Sequence, residues 1–308
     1  VIAIVGPTAV GKSDLAMRLA RHFRLEIISA DSRQVYRQLD IGTSKPSMAE
    51  RAAVPHHVLD VVEPDEDFSM AIYHHLAVGA LEAIQKRGKL PLLVGGSGLY
   101  VWSLVEGWTI PQVPPDPELR RRLEARAEQE SSQGLYRELE GIDPVAAVKI
   151  SPRNIRRVVR ALEIYHTTGR RPSELQSKEA PGFSTLVIGL TCNRGELYRR
   201  IDLRVDNMIK KGLIEEVEQL LKMGYSPSLP SMSGIGYRQM GEFLRGGMTL
   251  PEAIDKMKYE THKLARHQYA WFRPSDSRIC WLDVSETEEK ASASMLGKTK
   301  DLIEGFVS

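Results

Sequence analysis

The sequence predicts an α/β fold, a P-loop doubly wound parallel sheet interrupted by a helical insertion domain. Three observations predict it. A β-branched run, Val1 to Val5, leads into Gly6-Pro7-Thr8-Ala9-Val10-Gly11-Lys12-Ser13, which matches G-x-x-x-x-G-K-[ST], and Leu15, Ala16, Leu19 and Phe23 then repeat at helical spacing. Short apolar runs alternate with amphipathic helical ones on either side of the chain's middle. Between them a proline-rich stretch, residues 111–117, opens a segment of helix and turn with no convincing strand.

In order, Glu26–Asp31 reads as a second strand that ends in Asp31-Ser32-Arg33-Gln34, and His57–Val62 as a weaker third. Ser69–Lys86 is a helix with Met70, Tyr73, Ala77, Leu81 and Ile84 on one face, stopped by Gly88. Leu90–Ser97 is a fourth strand, closing on Gly95-Gly96-Ser97-Gly98. Open parallel sheets bind ligands beyond the carboxyl ends of their strands. The phosphate loop, Asp31 and Ser97 all follow such ends, so one crevice is expected to gather them.

Residues 114–182 are expected to form the insertion, leaving a discontinuous core of 1–113 and 183–308. Within it Glu118–Glu130 is a helix carrying Arg120, Arg121, Arg122 and Arg126, and Asp143–Lys149 is a short one. Asn154–His166 is amphipathic, with Ile155, Val158, Val159, Leu162 and Tyr165 on the apolar side. Thr185–Thr191 returns a strand to the sheet. Glu196–Met223 reads as one long helix ended by Gly224, with Arg200 and Arg204 a turn apart. Ser231–Gln239 is a glycine-punctuated loop, Pro251 opens a helix through Trp271, and Ile279–Val284 is a last strand. Beyond Ser285 the sequence is polar and carries no pattern.

Bulk properties narrow the classes. A hydrophobic content of 42% is enough for a sizeable core, and no apolar run approaches the roughly 18 residues of a membrane span. Two cysteines, Cys192 and Cys280, exclude a disulfide framework and suit a cytoplasmic protein. A formal net charge of +2 gives no global nucleic-acid signature, so RNA would have to meet local basic patches. With Val1 already inside a strand, a few residues are expected to precede it.

The opening motif has its own physics. Gly6 and Gly11 let consecutive amides point at an anion, the helix N-terminus adds partial positive charge, Lys12 supplies a point charge and Ser13 can ligate Mg²⁺. A di- or triphosphate is implied, and taken alone the loop points to a nucleoside triphosphate and a kinase. A kinase would carry an apolar strand ending in Asp to help hold the metal. The fourth strand ends in glycines and Ser97 instead, and the acid in place is Asp31. By spacing, Asp31 is either a general base or a helix N-cap, and both stay open.

Seven segments then occur in order: GPTAVGKS (6–13), ISADSRQVYRQLDIGTSKP (28–46), VPHHVLD (54–60), LVGGSGLY (93–100), RRVVRALEIY (156–165), SGIGYRQ (233–239) and RHQYAWFR (266–273). Together they closely resemble the tRNA isopentenyltransferase family, across essentially the whole chain. The resemblance implies transfer of a dimethylallyl group from dimethylallyl diphosphate to N6 of the adenine at position 37 of tRNA, in the anticodon stem-loop. Gly6 to Ser13 would then hold a diphosphate leaving group, with Mg²⁺ on Ser13. Asp31 would accept the amine's proton, and Lys12, Thr8 and Arg204 would stabilise the departing oxygens.

The resemblance further implies that the target base leaves its stack and enters one mouth of a channel while the prenyl donor enters the other. Asp31, Ser32, Arg33 and Gln34 would meet the extruded base and its neighbours, joined by Ser97, Gly236, Tyr237 and Arg238. Arg156, Arg157 and Arg160 form a basic face that is either phosphate contact or solvated surface. Arg266, His267, Gln268, Trp271 and Arg273 interleave cations with aromatics, as single-stranded RNA recognition often does, whereas Phe272 is expected in the core. His267 stands where the family usually has arginine. The pairs His56-His57 and His74-His75 read as structural. A monomer without membrane contact is expected. The rivals are an enzyme that prenylates or phosphorylates a free nucleotide, which needs no RNA-gripping insertion, and a non-catalytic RNA-binding relic, which would not keep Lys12, Ser13 and Asp31.

Overall fold

The computed structural model describes residues 1–111, 113–130, 132–285 and 288–308, so Gln112 of the proline-rich boundary lies outside the described residues. The chain forms two compact units, Val1–Val105 with Gly182–Ser308, and Glu106–Pro181. In chain order the first unit supplies β1 (Ile2–Val5), α1 (Lys12–Leu19), β2 (Leu25–Ala30), α2 (Met48–Ala53), β3 (His56–His57), α3 (Met70–Lys86), β4 (Leu90–Gly95) and α4 (Gly98–Val105). The second supplies α5 (Pro117–Glu130), α6 (Ser132–Ile142), α7 (Pro144–Val148), α8 (Ile155–Thr168) and α9 (Pro172–Leu175). The first resumes with β5 (Leu186–Thr191), α10 (Arg194–Lys210), α11 (Leu213–Lys222), α12 (Tyr237–Leu244), α13 (Leu250–Trp271), β6 (Ile279–Asp283) and α14 (Glu288–Val307).

Among the described residues the sheet has six strands in the order β3-β2-β4-β1-β5-β6, every neighbouring pair parallel. Helices cover both faces of such a sheet, so its strands read as continuous apolar runs rather than alternating ones. Ile2, Ala3, Ile4 and Val5 are accordingly all fully buried, and Ile2 and Ile4 pack in one cluster with Leu15, Leu19, Leu92, Ile188 and Leu190. The chain winds from β1 towards β2 and β4, then crosses to β5 and β6 on the other side. This reversal places a crevice at the carboxyl end of β1, where the phosphate loop starts.

Four sequence expectations change. β3 stops at His57, because Val58 (φ 61°) and Asp60 (φ 50°) turn the backbone into the left-handed region, and beyond it an isolated Tyr36–Val62 bridge continues the pairing. Phe23 lies beyond α1 but still packs on the core. The long helix is two, α10 and α11, broken where Gly212 adopts φ 96°. The patternless tail is a helix, α14, whose Leu296, Leu302, Ile303 and Phe306 pack on the same core as α1.

The second unit is helical. Leu119, Leu123, Leu135, Leu139, Val158, Val159 and Leu162 form its buried cluster. Its Glu163 carboxylate is fully buried and takes Arg120 at 2.8 and 3.0 Å, Arg160 at 2.5 Å and the Asp116 amide at 2.7 Å, contacts that hold it below the usual carboxylate range against the cost of burial. At the neck, Thr109 donates its amide to Ser177 and Glu179 to Gly107, both at 2.9 Å. That pairing begins ahead of the proline-rich stretch, which is why the unit starts at Glu106.

Candidate active site

The site is built at the strand ends. Gly6 has φ 139°, and a Cβ there would come within 2.4 Å of the Leu190 carbonyl oxygen on β5, so the loop can enter only with glycine. Gly11 caps α1 without a side-chain hydrogen bond, and Ala9 sits at φ 64° in the same turn. The first amides of α1 are therefore left for an anion, with the helix dipole behind them. Ser13 is at this end of α1, exposed.

Lys12 Nζ folds back onto the loop, donating to the Gly6 carbonyl at 3.0 Å and the Pro7 carbonyl at 2.7 Å. Burial, with Arg204 beside it, pushes its pKa down to about 7, and Asp31 opposes that shift. Arg204 reaches in from α10 and donates from Nη1 to Thr8 Oγ1 at 3.1 Å. Burial lowers its pKa too, again opposed by Asp31.

Asp31 follows β2. Its Oδ1 accepts the Arg33 amide at 2.8 Å, an Asx turn, and the Ser32 amide donates to Ser97 Oγ at 3.2 Å. The next helix is α2, capped by Ser47, so the N-cap alternative for Asp31 falls. A cavity of about 890 Å³ is lined by Lys12, Ser13 and Arg200, and a second of about 600 Å³ by Ser32, Arg33, Ser97, His267 and Trp271. Both are lined by Thr8, Asp31, Gly96, Arg204, Met208, Leu264 and Gln268. The carboxylate, the threonine and the arginine thus belong to the wall common to two cavities. Spacing gave no signal for Met208 and Leu264, nor for Tyr100, which lines the smaller cavity and stacks on the buried Tyr73 with ring centroids 3.7 Å apart.

Other expected contacts fall differently. Gln34 is occupied inside its own loop, accepting from Ser29 Oγ at 3.0 Å and donating to the Thr43 carbonyl at 3.2 Å. Arg33 donates to the Pro230 carbonyl at 2.5 Å and to Ser233 Oγ at 3.3 Å. Tyr237 lines the smaller cavity from a buried position. Its ring is buried against Gly42, and its hydroxyl donates to Glu216 Oε1 at 2.6 Å; burial and that carboxylate drive the phenol pKa well up. Gly236 gives its amide to Gln239, and Arg238 pairs with Glu260.

Arg266 donates to the Tyr198 hydroxyl at 2.6 Å, while His267 and Arg273 are exposed and Trp271 is 44% exposed. Phe272 is fully buried, as expected. Gln268 accepts the Thr8 amide and donates to the Gly96 carbonyl. In the helical unit Arg156 and Arg157 are exposed on α8, whereas Arg160 is tied to Glu163 and to the Val113 carbonyl, which removes it from the free basic face. His57 bonds Glu26 at 2.6 Å and His56 the Val54 carbonyl at 2.7 Å, and among the described residues no cluster of His, Cys, Asp or Glu could hold a metal.

The chain is similar to known proteins along most of its length. The IPP transferase family profile matches residues 34–275, and an isopentenyl transferase profile matches residues 1–61. A tRNA dimethylallyltransferase of Roseiflexus sp. is 54% identical over 292 residues, 94% of this chain and 96% of that protein. One from Thermomicrobium roseum is 51% identical over 286 residues, 93% of this chain and 87% of its own length. Among solved structures, the tRNA isopentenylpyrophosphate transferase of Bacillus halodurans superposes with a TM-score of 0.71 at 39% identity, covering 99% of this chain and 96% of that one. A eukaryotic dimethylallyltransferase acting on tRNA gives a TM-score of 0.80 at 30% identity, covering 99% of this chain and 79% of that one. The chain belongs to the IPP transferase family.

Proposed function

We propose that this chain transfers the dimethylallyl group of dimethylallyl diphosphate to N6 of the adenine at position 37 of tRNA, beside the anticodon. It is a prenyl-transferring enzyme rather than a kinase. One observation carries the reading: Asp31, Thr8 and Arg204 line both cavities, one floored by the phosphate loop and the other rimmed by Ser97, His267 and Trp271. The larger cavity takes the donor diphosphate. The smaller takes an adenine that has left its stack.

The chemistry follows from this division. An exocyclic adenine amine is a poor nucleophile, and it gains strength only if its proton is accepted as the new bond forms. As the N6–C bond forms, the allylic C–O bond breaks, the N6 proton passes to the Asp31 carboxylate, and diphosphate leaves with the bonding electrons. Because the allylic carbon tolerates positive charge, much of the barrier lies in the leaving group. Lys12, Arg204, the Thr8 hydroxyl and the loop amides stabilise that developing charge.

Mg²⁺ fits the donor set: the exposed hydroxyl of Ser13, beside an anion site, suits a cation that keeps its waters and is otherwise held by phosphate oxygens. When bound, it neutralises charge on the diphosphate. The exposed Arg156 and Arg157 of the helical unit add phosphate contacts to the RNA, and an anticodon stem-loop is the partner they suit. Among the described residues no helix is long and apolar enough to cross a membrane. Cys192 and Cys280 are both free, which suits a reducing cytoplasm. A monomer acting there is the simplest form of this reading.

The test is incubation with labelled dimethylallyl diphosphate and unmodified tRNA, with AMP and ATP as competing acceptors. Label is expected in tRNA alone, on the adenine at position 37. Label in AMP at a comparable rate would instead support the free-nucleotide enzyme.

A further inference from the structure

The segment from Arg266 to Arg273 reads, by its cations and aromatics, as a surface for RNA. One of its members is tied to the phosphate loop. Gln268 Oε1 accepts the backbone amide of Thr8 at 2.8 Å, and its Nε2 donates to the carbonyl of Gly96 at 3.0 Å. Its carboxamide thus joins the phosphate loop after β1 to the end of β4, across 260 and 172 residues of sequence. Gly96 makes room for it, since a Cβ there would stand 2.1 Å from Gln268 Nε2.

The neighbouring residues fix the helix in the same place. The Tyr269 hydroxyl bonds Thr191 Oγ1 at 2.8 Å at the end of β5, and the Trp271 carbonyl accepts from Trp102 Nε1 at 3.0 Å. A Cβ on Gly98 would stand 2.3 Å from the Trp271 side chain. Gln268, Tyr269 and Trp271 therefore anchor the end of α13 beside the strand ends.

Thr8 is the residue gripped twice. Gln268 holds its amide and Arg204 holds its hydroxyl. A carboxamide that satisfies both a donor and an acceptor fixes the loop in two directions, which a single contact would not. We infer that Gln268 is a positioning residue of the diphosphate site: it sets the Thr8 backbone so that the Thr8 hydroxyl and the Arg204 guanidinium meet the leaving group together. This rests on reading the larger cavity as the donor site, and it gives Gln268 a role there beside its place in the wall common to both cavities.

The experiment measures binding of inorganic diphosphate with Mg²⁺, without RNA, to the full chain and to Gln268→Met and Gly96→Ala. Methionine keeps the volume of glutamine but neither hydrogen bond; alanine at 96 drives the carboxamide away from a different element. Both variants are expected to bind diphosphate about five-fold more weakly or worse, the worth of one or two hydrogen bonds. Binding of an anticodon stem-loop without diphosphate should fall by less than diphosphate binding does. Thermal unfolding of each variant checks that it is folded. Unchanged diphosphate affinity in folded Gln268→Met would overturn the inference, whether or not RNA binding fell. Failure of the unmodified protein to bind diphosphate would overturn the donor-site reading itself, and this inference with it.

Discussion

Arg204 donates to the hydroxyl of Thr8 at 3.1 Å, so a residue of α10 completes the phosphate loop from 196 positions away. Its burial beside Lys12 concentrates two cationic groups at one point, and Asp31 is the acid that offsets them electrostatically. Such a concentration is unfavourable unless an anion arrives to meet it.

Arg204→Gln should therefore lower the single-turnover transfer rate by about 10²- to 10³-fold, as removal of a donor to developing negative charge does elsewhere. Arg204→Lys should recover only part, because a point charge replaces the guanidinium fork. Rates measured at saturating tRNA check this.

Lys12 makes diphosphate binding pH-dependent. With its pKa at about 7 in the free protein, it is largely neutral at pH 8, and a bound diphosphate favours the ammonium. Binding at pH 8 should then take up a proton, and affinity should fall as pH rises above 7; well below pH 7 the uptake on Lys12 should vanish. Calorimetry in two buffers of different ionisation enthalpy measures the uptake, and Lys12→Met supplies the background from the ligand's own ionisation.

Glu216 shows how Tyr237 is held in the packing. Its carboxylate accepts the Tyr237 hydroxyl at 2.6 Å and the amides of Asp40, Ile41 and Gly42 at 3.1, 2.7 and 3.2 Å. Tyr237→Phe should cost about 1–2 kcal/mol in urea unfolding and leave RNA affinity in place, whereas Glu216→Ala, which strands three amides as well, should cost about 3 kcal/mol or more.

On the helical unit the arginines should separate. Removing Arg156 and Arg157 should weaken tRNA binding and make its salt dependence shallower, by roughly one unit of log–log slope for each phosphate that is no longer neutralised. Arg160→Ala should instead destabilise the unit by about 1–2 kcal/mol, because it withdraws a partner from the buried Glu163. Binding at several salt concentrations, set beside thermal unfolding, distinguishes the two effects.

Much of this was legible in the sequence, for local reasons. The phosphate loop carries its own backbone geometry, and the apolar runs of a doubly covered sheet are continuous enough to read directly. What was not legible depends on distant partners. Nothing local shows that Glu216 and Gly42 bury Tyr237, or that Thr8 and Gly96 meet the Gln268 carboxamide. The break at Gly212 leaves only a faint mark, a five-residue step from Met208 of α10 to Leu213 of α11 in an apolar repeat otherwise spaced by three and four. The tail helix α14 begins in polar residues, and its apolar Met295, Leu296, Leu302, Ile303 and Phe306 are interspersed with polar and charged ones.

Asp31, in the wall common to two cavities, is the base on which the proposed transfer depends. The most direct measurement is the single-turnover transfer rate of Asp31→Ala, taken with its affinities for tRNA and for diphosphate. The rate should fall by about 10²-fold or more while both affinities stay within a few-fold, since a base and not an anchor has been removed. A fall in tRNA affinity equal to the fall in rate would contradict that role.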